Sequence, residues 1–234
     1  ENKGGTREKV PLFKGDLGGS FLQLDGEKNK FKKEAFVFAA GRVWDEAKNI
    51  GMLERIASQL LYPVYVAGNA KEPQKEEVNL KHNKRSPLTP LNKGGTRNPF
   101  KGDLGGSFPI REGGEICFLG RLSGEEMREW YRRAAVYALP AKYEPFGLSV
   151  LEAALSGCAL VLGDIPSLRE NWDGVAVFVS PEDAEGLVRA INDLIENQEK
   201  RWELARKCYD RALFFTSQRM AKGYINAYST LIND

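Results

Sequence analysis

The chain is poor in the side chains that hold metals and cross-link small folds. Its 234 residues include one histidine, His82, and three cysteines, Cys117, Cys158 and Cys208. The cysteines are odd in number and far apart, with no Cys-x-x-Cys spacing. This argues against a disulfide framework and the common zinc sites and favours a reducing compartment, so no metal and a cytoplasmic location are expected. No apolar run reaches the ~18 residues of a membrane span, and no signal-peptide pattern opens the sequence. Hydrophobic residues still make up 42% of the chain, enough for a core.

Net charge is also scarce, and the +2 total is unevenly placed. Residues 1–21 sum to +1 and residues 83–110 to +4, which leaves −3 for the rest. A nucleic-acid footprint would have to lie in those two segments, and no nucleic-acid partner is expected. The two segments resemble each other. Asn2–Arg7 recurs as Asn92–Arg97, and Phe13–Phe21 recurs as Phe100–Phe108. The spacing is too long for a solenoid, and the Gly- and Lys-rich composition predicts solvated loop. A phosphate-binding loop is one reading. The other is translated repetitive DNA inserted in frame, which a surface loop tolerates at little entropic cost. The expected organisation is a repeat-derived segment at 1–21 and one domain at 22–234, with a repeat-derived insertion at about 83–110.

Outside the repeats, strand and helix patterns alternate. Phe36–Ala40, Val64–Ala67, Glu115–Leu119, Val136–Leu139, Ala159–Leu162 and Gly174–Val179 read as short strands. Helical periods cover Asp45–Leu61 and residues 182–195, 198–211 and 217–231. Ser123-Gly-Glu-Glu126 has capping-box spacing and opens a helix to about Ala134. Alternation of this kind predicts an α/β fold, a Rossmann-like parallel sheet with helices on both faces. Such sheets bind ligands at the C-terminal ends of their strands.

Three constellations fall there. Gly41-Arg42 follows the first strand, and Lys48 is expected one turn into the next helix, so two cations could neutralise a diphosphate. Gly120-Arg121 follows another strand, where a glycine lets a flat base approach the backbone. The third is Glu144-Pro145-Phe146-Gly147-Leu148, leading into a helix that carries Glu152. From Pro145 to Gly163 the only charged residue is Glu152. A carboxylate in so apolar a segment is expected to have a partner. Free N–H groups at Gly147, Leu148 and Ser149 are expected to form an anion site. Each constellation also has an ordinary reading, as solvated cations, a strand-ending turn and a helix-terminus charge.

Glu-x7-Glu with Phe-Gly inside it, together with Gly41-Arg42 and Lys48, resembles the signature of the retaining family 4, or group 1, glycosyltransferases. The resemblance runs from about Phe36 to Ile232 and matches the C-terminal, donor-binding domain, one half of the family's two-domain GT-B fold. It implies transfer of a hexose-like sugar from a nucleotide diphosphate sugar with retention, without a metal or other cofactor. Arg42, Lys48 and Glu144 would then be the catalytic residues, the cations holding the diphosphate and Glu144 the sugar. Gly41, Gly120, Arg121, Phe146, Gly147, Leu148 and Glu152 would bind the rest of the donor, Glu152 at the ribose.

The expected partners are a nucleotide sugar and, for the acceptor side, an N-terminal domain in trans or a second copy of the chain. The family's N-terminal domain and its glycine loop do not occur in this sequence, so the lone chain is expected to be inactive. The final helix, with Met220, Tyr224, Tyr228 and Leu231 in register, is expected to expose an apolar face. A non-catalytic remnant or nucleotide-sugar-binding module is the alternative. A dinucleotide-binding domain is disfavoured because no Gly-x-Gly-x-x-Gly follows the first strand.

Overall fold

The computed structural model describes residues 33–69 and 114–233. The chain divides into two units, residues 1–30 and 31–234, and the first lies outside the described residues, as do His82 and both repeat copies.

Among the described residues six strands form one parallel sheet: β1 (Glu34–Ala40), β2 (Val64–Ala67), β3 (Ile116–Gly120), β4 (Ala134–Leu139), β5 (Ala159–Gly163) and β6 (Val177–Val179). Their order is β3-β2-β1-β4-β5-β6. β2, β4 and β5 are buried along their whole length, as continuous apolar runs in a doubly covered parallel sheet should be. Alternate side chains of β1 enter different cores. Phe36, Phe38 and Ala40 face one side, Val37 and Ala39 the other.

Among the described residues there are seven α-helices: α1 (Ile50–Ile56), α2 (Gly124–Arg133), α3 (Leu148–Leu155), α4 (Pro166–Trp172), α5 (Ala184–Glu196), α6 (Gln198–Ala212) and α7 (Ser217–Asn233); the first six pack on the sheet. On the Phe36 face, α2 supplies Trp130 and Tyr131, α3 supplies Val150, Ala153 and Ala154, and α4 supplies Leu168 and Trp172. Phe36 meets Trp130 edge-on at 5.4 Å and Phe38 meets Tyr131 at 5.1 Å, contacts each worth ~0.5–1.5 kcal/mol beyond the area they bury. On the other face α1 and α5 pack Leu53, Ile56, Ile191 and Leu194 against Val37, Val64, Val136 and Val161. The two sides of the capping box are both made, Ser123 Oγ accepting from the Glu126 N–H and Glu126 Oε2 from the Ser123 N–H.

The structure corrects the expected helix Asp45–Leu61. A 3-10 turn covers Glu46–Lys48, Asn49 is left-handed at φ 55°, α1 runs only from Ile50 to Ile56, and a second 3-10 turn follows at Ala57–Gln59. Lys48 therefore precedes the α-helix. The break has a tertiary cause: Asn49 Nδ2 donates to the carbonyls of Pro140 (2.9 Å) and Pro181 (2.8 Å). Asparagine is among the few residues that adopt this backbone readily. The helix α4 is an addition to the expected elements, started by Pro166 at its first turn. β6 is shorter than expected, because residues 174–176 form a turn back onto Trp172.

Every side chain described in α7 is exposed, including Met220, Tyr224, Ile225, Tyr228, Leu231 and Ile232. Tyr224 and Tyr228 stack at 6.2 Å. Among the described residues no helix is long and apolar enough to cross a membrane. The three cysteines form no disulfide.

Candidate functional site

The strand order reverses between β1 and β4. β2 and β3 follow β1 in one direction, while β5 and β6 follow β4 in the other. In a parallel sheet this reversal leaves a crevice at the strands' C-terminal ends, because the two loops leave in opposite directions. The loop after β1 carries Gly41, Arg42 and Lys48. The loop after β4 carries Glu144, Phe146 and Gly147.

Backbone contacts join these loops. The Ala47 carbonyl accepts from the N–H groups of Lys142 (2.9 Å) and Tyr143 (3.2 Å). Asn49 adds the bond to Pro140 described above, and Tyr137 on β4 donates its hydroxyl to the Ala40 carbonyl at 3.2 Å. Across the crevice Lys48 Nζ lies 2.6 Å from Glu144 Oε2, and these side chains are only 12% and 13% exposed. The other Glu144 oxygen, Oε1, accepts from the Gly147 N–H at 3.0 Å. The Glu144 carbonyl accepts from Ser167 Oγ at 2.6 Å, which fixes its backbone. Glu144 thus bridges an ammonium and the start of α3, where backbone N–H groups and the helix dipole favour negative charge.

Other predicted residues stand apart from this pair. Arg42 is exposed, pairs with Asp45 at 2.6 Å, and lies 5.4 Å from the Trp44 ring centre. Asp45 also caps the 3-10 turn, accepting from the Ala47 N–H. Gly41 ends β1 with its N–H bound to the Ala67 carbonyl and with the Lys48 stem beside it. Gly120 and Arg121 lie at the end of β3, both exposed, with open space beside Gly120 where a side chain would stand. Phe146 is half exposed and meets Phe215 edge-on at 5.6 Å, while Leu148 is exposed.

Two expectations about α3 change. The Gly147 N–H is occupied by Glu144, so it is not a free donor. Leu148 and Ser149 keep the first-turn positions, where no intrahelical acceptor exists. Glu152 is exposed rather than buried in apolar surroundings. Val150, Ala153 and Ala154 take the core positions of this short helix. Its carboxylate still influences the core. Burial, above all, pushes the Tyr131 hydroxyl far above its ordinary range; Tyr137 and then Glu152 add to the shift. Glu152 acts on that hydroxyl both by its charge and as a hydrogen-bond acceptor.

Sequence reasoning missed Asn49, Ser167 and Tyr137. Asn49 alone left a signal, as a residue tolerant of the left-handed region directly after a candidate cation. A groove of about 460 Å³ lies beside the site, lined by Trp44, Asp45, Glu46, Asn49 and Lys142 among others. Among the described residues no group of three or more histidine, cysteine, aspartate or glutamate side chains is placed to hold a metal ion.

The model of the family "Glycosyl transferases group 1" matches residues 112–211. A curated relative, glycogen synthase of Mycobacterium tuberculosis, is 34% identical over 96 residues, covering 40% of this chain and 23% of the relative. Across the curated relatives the chain spans between about a fifth and a third of their length, from 21% to 34%. Sucrose-phosphate synthase from Thermosynechococcus elongatus has the same fold at a TM-score of 0.60 and 19% identity, over 86% of this chain and 46% of that one. The Anabaena HepE protein, solved in complex with UDP, aligns at a TM-score of 0.57 and 17% identity, over 85% of this chain and 49% of that one. The chain thus shares a fold with these solved structures, and over residues 112–211 its sequence resembles the group 1 glycosyltransferases.

Proposed function

We propose that the chain is the donor-binding half of a retaining glycosyltransferase. Its ligand is a nucleotide diphosphate sugar, seated on the C-terminal rim of the sheet. The Lys48–Glu144 pair at the strand-order reversal carries this reading, since an ammonium suited to phosphate stands beside a carboxylate suited to sugar hydroxyls. Lys48, the start of α3 and Arg42 neutralise the diphosphate, Arg42 after leaving Asp45. Gly120 and Arg121 lie two strand spacings along the rim from β1, ~10 Å, a suitable distance for a base whose diphosphate rests at Lys48. The exposed Glu152 accepts from the ribose hydroxyls. Fixed cations and helix N–H groups then stabilise the departing diphosphate without a bound metal.

The UDP in the Anabaena neighbour supports a nucleotide ligand. The small share of each relative that is matched supports a donor half that needs an acceptor-binding domain, on a longer chain or in trans. Calorimetric titration with UDP-, GDP- and ADP-sugars tests the reading. Saturable binding of one of them, weakened in Lys48→Ala, Arg42→Ala and Glu152→Ala, is expected. A folded protein that binds none of them, or binding indifferent to all three substitutions, overturns it.

A further inference from the structure

Lys48 and Glu144 receive different parts of the donor in the reading above, yet the structure binds them to each other. The Glu144 carboxylate holds the two groups that a phosphate would seek, the Lys48 ammonium at 2.6 Å and the Gly147 N–H at 3.0 Å. A diphosphate and Glu144 compete for these donors: the Gly147 N–H is a single donor, and two anions drawn to one ammonium repel each other in a half-buried site. A diphosphate that takes both donors displaces the carboxylate. The backbones on both sides are held. Ser167 Oγ anchors the Glu144 carbonyl, and the Asn49 amide fixes the turn that ends at Lys48. The movable part is the Glu144 side chain.

We propose that Glu144 is a specificity-determining residue that exchanges partners when the donor binds. This rests on the donor-binding reading. The diphosphate takes Lys48 and the Gly147 N–H, and the displaced carboxylate accepts hydrogen bonds from hydroxyls of the sugar to be transferred. A nucleoside diphosphate without a sugar supplies the displacing charge but no hydroxyls. It takes the Lys48 and Gly147 bonds from the carboxylate and supplies no donor in return, so two charge-assisted bonds are lost without replacement by the ligand. The intact donor supplies both. Glu144 therefore makes the site prefer the sugar nucleotide to the diphosphate left after transfer, and it favours release of that product.

The test compares wild type with Glu144→Gln, an isosteric and neutral variant. UDP, GDP and ADP are titrated alongside their sugar conjugates by calorimetry. For whichever base binds, wild type is expected to hold the sugar nucleotide about tenfold or more tighter than the diphosphate, and Glu144→Gln to tighten the diphosphate about tenfold and erase the preference. A second measurement uses protein alone: acetic anhydride should label Lys48 faster in Glu144→Gln, read by peptide mass spectrometry. A wild type that binds diphosphate and sugar nucleotide equally overturns the exchange without any variant. So does a folded Glu144→Gln that keeps the preference or labels no faster. If wild type binds no nucleotide of either kind, the donor-binding reading itself falls and the exchange falls with it.

Discussion

Lys48 and Glu144, 96 residues apart in the sequence, meet at 2.6 Å over the point where the strand order reverses. Removing one charge leaves the other largely buried and unpaired, which is costlier than removing both. Lys48→Met is expected to destabilise the fold by about 1–3 kcal/mol, and the double variant Lys48→Met/Glu144→Gln by less than the sum of the singles. Urea unfolding of all four proteins measures the coupling. Additive losses would show that the pair contributes nothing as a pair.

Gly147 begins α3 at φ 84° in a crowded place. A Cβ there would stand 3.0 Å from Val150 Cγ2 and 3.3 Å from Leu168 Cδ2. Gly147→Ala is therefore expected to cost about 1–2 kcal/mol from the left-handed backbone alone, with packing strain added. A Tm drop of several degrees in a thermal melt is the expected reading. An unchanged Tm would show that the turn can adopt another backbone.

Asn49 combines a left-handed backbone with two side-chain bonds. Asn49→Gly keeps the backbone and loses the bonds, while Asn49→Ala loses the bonds and adds about 1–2 kcal/mol of strain. Denaturant midpoints are expected in the order wild type, Gly, Ala. Equal midpoints for Gly and Ala would show that the φ value matters less than the amide.

The three thiols should differ in reactivity. Burial pushes the Cys208 thiol up to about 12 and raises that of Cys158 as well, against the pull of nearby Lys33. Cys117 is half-buried on the edge strand β3. At pH 8 iodoacetamide is expected to modify Cys117 first, because the thiolate is the reacting form and the other two are buried as thiols. Peptide mass spectrometry over a time course checks the order.

At the surface, the Arg169 guanidinium bonded to Asp164 holds that carboxyl below its ordinary value of 3.8. A depressed folded value means stabilisation that is present above the unfolded value and lost as pH falls through the folded one. Both side chains are substantially exposed, so the effect is small. Asp164→Asn is expected to lower Tm slightly at pH 7 and to match wild type at pH 2. A deficit that persists at pH 2 would point to packing instead.

The parts legible in the sequence were those set by local pattern. Continuous apolar runs such as Val136–Leu139 read as doubly covered strands, and the Ser123–Glu126 spacing read as a helix start; both were found in place. The pairing of Lys48 with Glu144 was not legible, since each residue was expected to wait for a ligand. Nor was the break at Asn49, because its acceptors, Pro140 and Pro181, come from distant loops. The exposure of Glu152 was not legible either, because an apolar segment still has an outer face when the helix is short and only three of its residues are buried. Arg42 and Lys48 were expected to reach one diphosphate; in the structure Asp45, three residues on, holds Arg42.

The shared acceptor at Ala47 has a dynamic consequence. One carbonyl receives the N–H groups of both Lys142 and Tyr143, so the loop after β1 cannot lift away while the loop after β4 keeps its bonds. The two loops should open together, and their amide protons should exchange with deuterium as one cooperative unit even though the chain visits them far apart.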